Sequence, residues 1–365
     1  MRFLLINKKS VLINLALLFF TIFICFIFSE ILLRSIWEEP VDTFYGYPTG
    51  LHIPDETRGY KYQPHFHGVF PGTLYKHIEI RINSKGLRDA EHEYSKKGKY
   101  RILGLGDSIT FGTGVEVDDA YLAVLERLIQ KKIDEKSDVV KAGVNGYEFD
   151  QEYAYYFEEG YKYEPDIVLI GVCLNDAMVA DSKVLQEKKQ SVARNISANE
   201  MKNLENENIY GKSFLDYFST YKFSKMALHR LIHYREIKAK RDKYNAKYFY
   251  LIYNLWNGEP LHHYAKNLRN LNSFARLKKS RVVLVLFPYT QQFTHAENMG
   301  RLPQEKITAL AEVNGIDVID PYEILNREDY QNFYLKNDNT HLNEKGHRLV
   351  GEFIYREMIK KGLLQ

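Results

Sequence analysis

The stretch RILGLGDSIT, residues 101–110, predicts a strand that leads directly into a polar turn and a helix. Residues 101–105 are mostly apolar, and the glycine and aspartate that follow are typical of a turn. Ser108 then begins the predicted helix, where terminal N–H groups and the helix dipole favour negative charge. Ser108 is therefore a candidate nucleophile placed directly after a strand.

The sequence around this stretch alternates between strand and helix patterns, which predicts a parallel sheet with helices on both faces. Helices are expected at 119–132 and 344–360, and strands at 101–105, 139–142, 166–170, 281–287 and 316–319. In open sheets of this kind, ligands bind outside the carboxyl ends of the strands. Ser108, Gly146 and Asn175 each follow a predicted strand, so one crevice is expected to contain all three.

Asp338-Asn339-Thr340-His341, near the C-terminus, offers the two groups that activate a serine. An imidazole takes the hydroxyl proton, and a carboxylate fixes the tautomer of the ring and stabilises its charged form. Because Asp338 precedes His341 by three residues, one turn brings the carboxylate to the ring. We expect His341 to act as the general base and then as the acid, with Asp338 as its partner.

Two intermediate blocks offer donors for the oxyanion of a tetrahedral intermediate. They are Gly143-Val144-Asn145-Gly146 and Leu174-Asn175-Asp176. The expected donors are the backbone N–H groups of Ser108 and Gly146 and the side-chain amide of Asn175. Gly143 competes with Gly146 for this role, and Gly146 is also compatible with an ordinary turn.

In this order, the four blocks resemble the SGNH or GDSL hydrolase family over about residues 100–358. The resemblance implies a three-layer α/β/α fold with a flavodoxin-like parallel sheet. It also implies a serine hydrolase or acyltransferase that needs neither a metal nor a cofactor. The α/β-hydrolase fold uses the same three catalytic residue types, but Thr110 stands where its G-x-S-x-G motif requires glycine.

Cys173 is a departure from the family pattern. The family usually has glycine two residues before the asparagine of its third block, whereas here the glycine comes earlier, at Gly171. A side chain at position 173 is expected to narrow the crevice or to shift Asn175. Cys173 is disfavoured as a nucleophile because a cysteine at a strand end is usually a small core residue.

Residues 10–29 contain no charged side chain, whereas Arg2, Lys8 and Lys9 precede them. This length matches the ~20 residues with which a helix crosses a bilayer, and the basic residues favour a cytoplasmic N-terminus. Residues 1–36 are therefore predicted to form a cytoplasmic N-terminus and an uncleaved transmembrane anchor, with an extracytoplasmic catalytic domain.

Three alternatives to an anchor are less compatible with this segment. A cleaved signal peptide has a shorter apolar region and a small-residue cleavage site. A lipoprotein would use Cys25, but bulky Ile24 precedes it. A buried helix of a soluble protein does not account for the one-sided charge.

Residues 37–98 are predicted to form an extended lead-in that packs on the hydrolase domain, which spans residues 99–365. That domain is predicted to contain a helical insertion at about 182–275. The basic run 233–248 in the insertion is typical of a solvated helix face, and contact with anionic lipid or an envelope polymer is the functional alternative. Aromatic residues in the insertion are candidates for a sugar-binding platform or for the core: Tyr250, Tyr253, Trp256 and Tyr264.

Composition and charge give no support for a nucleic-acid partner, a disulfide or a metal site. The net charge of +3, from 50 basic and 47 acidic residues, gives no reason to expect a nucleic-acid partner. Cys25 and Cys173 are badly placed to form a disulfide. His65 and His67 have no third ligand at a recognisable spacing, so no metal site is expected.

The sequence thus predicts a membrane-anchored esterase that removes a small acyl group, such as acetyl, from an envelope saccharide or lipid. An alternative is O-acyl transfer, in which a sugar hydroxyl replaces water and the same triad is used. A third hypothesis is an inactive glycan-binding or assembly protein, which the intact set of Ser108, Asp338 and His341 disfavours. No residue pattern specifies the oligomeric state.

Overall fold

The computed structural model describes eleven ranges or single positions of the chain: 8–36, 48, 50–70, 78–177, 218, 220, 224, 252–256, 258–294, 300–336 and 338–364. Most of the predicted insertion, including the basic run 233–248 and Tyr250, lies outside these residues. The chain divides into two units. One comprises residues 1–41 with 200–243, and the other comprises residues 42–199 with 244–365.

The first unit contains a long apolar helix, α1 (Lys8–Ile36). Its stretch Val11–Ser35 is long and apolar enough to cross a membrane, and most of its large apolar side chains are exposed. Near its end, Glu30 pairs with Arg34 at 2.7 Å and accepts hydrogen bonds from the backbone N–H and hydroxyl of Thr220, both at 2.9 Å. The acidic side chain near the end of this stretch is therefore paired rather than isolated.

The second unit begins with two small antiparallel pairs. Strand β1 (His52–Asp55) pairs with β2 (Gly59–Tyr62), and β3 (His67–Val69) pairs with β4 (Glu79–Arg81). Their apolar residues form a core of their own with Phe111 and Tyr147 from the hydrolase domain. The lead-in therefore shares a buried core with the segments on which it packs.

A five-stranded parallel sheet follows, in the order β6-β5-β7-β8-β9. Its strands are β5 (Arg101–Gly106), β6 (Asp138–Gly143), β7 (Ile167–Val172), β8 (Arg281–Leu286) and β9 (Asp317–Ile319). Numbered within the sheet, this is the 2-1-3-4-5 order of flavodoxin-like folds. The α/β fold class predicted from the sequence is confirmed.

Helices cover both faces of the sheet. They are α2 (Ser108–Phe111), α3 (Tyr121–Lys132), α4 (Phe149–Glu158), α5 (Glu259–Leu277), α6 (Thr290–Thr294), α7 (Leu302–Val313), α8 (Tyr322–Leu325) and α9 (Glu344–Lys360). Apolar residues of α3 and α9 form one core with alternate strand residues, and those of α4, α5 and α7 form the other. Because both faces are covered, β7 is buried along its whole length.

Part of the predicted insertion belongs to this layered core. Residues 259–277 form α5, which packs on α4. Trp256 and Tyr264 are 0% and 1% exposed, and their rings contact each other with centroids 5.4 Å apart. These two aromatic residues are therefore core residues, and the sugar-platform interpretation is wrong for them.

Three glycines lie side by side at the carboxyl end of the sheet. Gly106 of β5 pairs in register with Gly143 of β6 and with Gly171 of β7. A Cβ atom at Gly143 would lie 2.3 Å from the Phe111 backbone nitrogen, and one at Gly106 or Gly171 would lie 2.0 or 2.5 Å from Thr110 Oγ1. All three positions must lack a side chain because α2 packs directly against them.

We expect Gly143→Ala to destabilise the fold by about 3 kcal/mol, because the methyl group would meet backbone rather than a flexible side chain. Chemical denaturation of the purified chain measures this change in the free energy of unfolding. The matched control is Gly98→Ala, whose Cβ would meet no atom within 4 Å and which has a φ of +80°. That control is expected to lose about 1 kcal/mol through left-handed backbone strain alone. Equal losses in the two variants would contradict the packing argument.

Candidate active site

Ser108 begins helix α2, directly after strand β5. The side chain of Asp107 caps this helix, because its Oδ1 accepts the Ile109 N–H at 3.0 Å. The backbone of Gly106 has a φ of +153°, which a residue with a side chain rarely adopts. The strand, the glycine and the cap together place Ser108 at the carboxyl edge of the sheet.

The structure brings Ser108, His341 and Asp338 into one hydrogen-bonded series. Ser108 Oγ lies 2.8 Å from His341 Nε2, and His341 Nδ1 lies 2.7 Å from Asp338 Oδ2. The side chains of His341 and Asp338 are 19% and 20% exposed, whereas Ser108 is 8% exposed, so solvent reaches the series mainly through the histidine and the aspartate. A hydroxyl, an imidazole and a carboxylate in this order are the groups that nucleophilic catalysis by serine requires.

Asp338 is fixed by its own loop. Its Oδ1 accepts the backbone N–H groups of Thr340 at 2.8 Å and of His341 at 3.0 Å. Since Oδ1 is engaged by the backbone, Oδ2 is the oxygen that faces the imidazole. The three-residue spacing therefore produces a turn in which the carboxylate orients the ring.

The two charged partners shift each other's pKa. Burial disfavours the imidazolium form of His341, but the negative charge of Asp338 and the hydrogen bond to it outweigh burial and raise the pKa of His341. Burial likewise opposes ionisation of Asp338, but the charge of His341 and the hydrogen bonds from the loop lower the pKa of that carboxyl. The pair thus favours a carboxylate beside a ring that readily accepts a proton.

The loop after β6 is held from both sides by the lead-in. Tyr60 Oη donates to the Asn145 carbonyl at 2.7 Å, and the Asn145 N–H donates to Tyr62 Oη at 2.7 Å. Gly146 follows with a φ of +71°. The two competing glycines therefore differ in their surroundings: Gly143 packs under α2, whereas Gly146 lies in the loop that these tyrosines contact.

Asn175 lies in a tight turn after β7. Asp176 Oδ2 accepts the Cys173 N–H at 2.8 Å, and Trp256 Nε1 donates to the Leu174 carbonyl at 2.8 Å. The Asn175 side chain accepts a hydrogen bond from Tyr289 Oη through its Oδ1 at 2.5 Å. The turn is thus fixed through its backbone and through the asparagine side chain.

Cys173 is fully buried, and its Sγ donates to Asp107 Oδ1 at 3.0 Å. Burial, together with the negative charge of Asp107, raises the pKa of the Cys173 thiol well above its usual value. A buried thiol of this kind is not a nucleophile. The glycine that packing requires on β7 is Gly171, which lies under α2.

A cavity of about 820 Å³ lies beside the Asp338 loop. Polar side chains that line it include those of Asp338, Asn339, Thr290, Thr294, Gln331 and Asn332. Among the described residues, no group of three or more histidine, cysteine, aspartate or glutamate side chains has a geometry that would hold a metal ion.

Comparison with known proteins identifies the family of the chain. The chain belongs to the GDSL-like lipase/acylhydrolase family, whose model matches residues 105–349. The resemblance drawn from the sequence motifs is thereby confirmed. No curated protein shows a significant match to the chain.

Several solved structures resemble the chain at low sequence identity. A lipase/acylhydrolase from Enterococcus faecalis is 17% identical with a TM-score of 0.42, and the match covers 73% of this chain and 97% of that one. A catalytic mutant of an acetylxylan esterase from Geobacillus stearothermophilus is also 17% identical with a TM-score of 0.42, covering 71% of this chain and 94% of that one.

Several residues that contact the site were not identified from the sequence. Arg88 is 3% exposed and donates to the carbonyls of Phe111 and Gly112, at the end of α2. Tyr60 and Tyr289 contact the loops that carry Gly146 and Asn175. Their partners lie 23 to 114 residues away in the sequence, so no local pattern indicated these contacts.

The pKa of His341 is expected to lie above the ordinary histidine value of ~6.5 and to fall in Asp338→Asn. The pKa falls in this variant because the carboxylate stabilises the protonated ring, whereas burial without the carboxylate favours the neutral ring. NMR titration of the imidazole protons measures both values, and His341→Gln identifies the signal by its loss. An unchanged pKa in Asp338→Asn would contradict the pairing.

Proposed function

We propose that this chain is a serine esterase that hydrolyses a small acyl ester, such as an acetyl ester, on a saccharide or lipid of the cell envelope. The observation that carries the proposal is the series Ser108–His341–Asp338, with distances of 2.8 and 2.7 Å. Membership of the GDSL-like lipase/acylhydrolase family supports ester hydrolysis as the class of reaction.

In the proposed first step, Ser108 Oγ attacks the ester carbonyl carbon while its proton passes to His341 Nε2. Asp338 stabilises the imidazolium ion that forms, through its hydrogen bond to Nδ1. The tetrahedral intermediate then breaks the bond to the leaving oxygen, and His341 returns the proton to that oxygen. The products of this step are a free alcohol and an acyl group on Ser108.

In the second step, water attacks the acyl group, and His341 removes a proton from that water. The intermediate releases Ser108 Oγ, which regains its proton from His341, and the free acid leaves. The same residues thus act in both steps, and the enzyme returns to its starting state.

The negative charge on the intermediate is assigned to three donors: the backbone N–H groups of Ser108 and Gly146 and the Nδ2 group of Asn175. The hydrogen bonds that fix the loops of Gly146 and Asn175 support this assignment. Donors held in place before the reaction lower its barrier because they need no reorganisation as charge develops.

The cavity beside Asp338 supports a saccharide as the group that carries the ester. Amide side chains line it at Gln331, Asn332 and Asn339, and a hydroxyl group lines it at Thr294. Such groups form hydrogen bonds with the hydroxyls of a sugar.

The location in the cell envelope is proposed from α1. Its exposed apolar surface is stable in a bilayer, and the basic residues before it favour a cytoplasmic N-terminus. The hydrolase domain would then lie on the extracytoplasmic side, where envelope saccharides are found.

Ser108→Ala is expected to lower acetate release from an acetylated oligosaccharide by about 10⁴-fold or more, because the nucleophile is lost. It should also abolish labelling by a fluorophosphonate probe. Ser84→Ala is the matched control, since Ser84 Oγ is bonded to Glu91 in the lead-in and lies outside the proposed series.

Labelling of Ser108→Ala at the wild-type level would contradict the proposed nucleophile. Addition of an unacetylated oligosaccharide separates hydrolysis from transfer. Hydrolysis predicts that free acetate still accounts for all of the acetyl groups lost from the donor, whereas their appearance on the acceptor would show transfer.

Leu17→Arg combined with Phe20→Arg is expected to release the protein from membranes, since each charge costs about 3 kcal/mol within a bilayer. Fractionation of cells by centrifugation, followed by mass spectrometry of the intact chain, measures this. The control is Leu277→Arg, at an exposed leucine outside α1. A wild-type chain that is soluble, or that has lost residues 1–36, would contradict the anchor.

A further inference from the structure

Tyr289 follows strand β8 and is 2% exposed, so its hydroxyl group has little access to water. Its Oη donates to Asn175 Oδ1 at 2.5 Å, across 114 residues of sequence. A buried tyrosine hydroxyl requires a partner, and here the partner is the side chain that carries the proposed oxyanion donor.

This hydrogen bond determines which way the Asn175 amide faces. Because Oδ1 accepts from Tyr289, the Nδ2 group is directed to the other side of the planar amide. Among the described residues, none accepts a hydrogen bond from Nδ2. The amide is therefore oriented with its donor group available to a ligand.

The neighbouring residue, Thr290, contacts the other half of the site. Its backbone N–H donates to the Asn339 carbonyl at 2.9 Å, and its Oγ1 donates to Asn339 Oδ1 at 3.0 Å. Asn339 lies directly after Asp338 in the loop that carries His341. Two consecutive residues after β8 thus contact the loop of Asn175 and the loop of the acid-base pair.

We propose that Tyr289 is a positioning residue for catalysis, which orients Asn175 so that its Nδ2 group binds the oxyanion, while Thr290 independently positions the loop of Asp338 and His341. This inference rests on the proposed function. Neither residue belongs to the four motifs, and neither carries out a chemical step. Tyr289 acts through Asn175, and Thr290 acts through Asn339.

The positioning role and a purely structural role differ in kinetics. Replacement of a residue with a purely structural role would lower the amount of folded enzyme, and it would do so by the same factor whether or not the oxyanion donor is present. Misorientation of an oxyanion donor lowers kcat with little change in KM, because the lost interaction develops mainly in the transition state. Misorientation of the donor also has no further effect on kcat in a variant from which the donor itself has been removed.

The test is a double-mutant cycle with Tyr289→Phe and Asn175→Ala, measured as kcat and KM for release of acetate from an acetylated oligosaccharide. Asn175→Ala alone is expected to lower kcat by about 10²-fold or more, and Tyr289→Phe alone by about 10-fold, with KM within about twofold. In the Asn175→Ala background, Tyr289→Phe is expected to change kcat by less than about twofold.

Two further variants complete the experiment. Tyr100→Phe is the matched control, because it also removes a tyrosine hydrogen bond, the one of 2.6 Å to the Leu363 carbonyl. This bond lies beside the opposite end of strand β5, so its loss should leave kcat unchanged. Thr290→Val is expected to lower kcat by a similar factor with and without Asn175→Ala, because it acts on the other loop.

A wild-type kcat in Tyr289→Phe, or an equal loss in both Asn175 backgrounds, would overturn the positioning role of Tyr289. Loss of the Thr290→Val effect in the Asn175→Ala background would overturn the separate role of Thr290. Fluorophosphonate labelling distinguishes these outcomes from failure of the proposed function, since labelling that persists in Ser108→Ala would refute Ser108 as the nucleophile whatever the cycle shows.

Discussion

Close packing of helix α2 against three glycines is the constraint on which the site depends. Gly106, Gly143 and Gly171 form one row across three strands, and a Cβ atom at any of them would lie 2.5 Å or less from an atom of the helix segment. This row lets the first turn of α2 lie directly on the edge of the sheet. Ser108 is therefore held by packed backbone rather than by a free loop, which limits its movement relative to His341.

Buried hydrogen bonds from distant segments fix the other parts of the site. The lead-in contributes Tyr60 and Tyr62 to the loop of Gly146, and Arg88 to the end of α2. The segment after β8 contributes Tyr289 to the turn of Asn175. The bonds of Tyr60, Tyr62 and Arg88 are buried and that of Tyr289 is partly buried, and an unpaired donor or acceptor is costly where water is excluded. The site is thus organised before substrate arrives, as electrostatic stabilisation of a transition state requires.

Local signals in the sequence predicted the sheet, its strand positions and the side chains of the hydrogen-bonded series. Strand β7 is a continuous apolar run, and Asp338 reaches His341 within one turn, so both features can be recognised from neighbouring residues. No local pattern in the sequence identified the partners of Tyr289 and Arg88, because contacts between residues far apart in the sequence depend on how the strands are ordered. The effect of Cys173 also required the structure, which shows its thiol bonded to Asp107 in the core.

The most direct test of this account is a crystal structure of the full chain after reaction with a small alkyl phosphonate. The account predicts a covalent bond from Ser108 Oγ to phosphorus, His341 Nε2 still within hydrogen-bond distance of the adduct, and the phosphoryl oxygen bound by the N–H groups of Ser108 and Gly146 and by Asn175 Nδ2. Phosphorus on another residue, or a phosphoryl oxygen that faces away from Asn175 and Gly146, would contradict it.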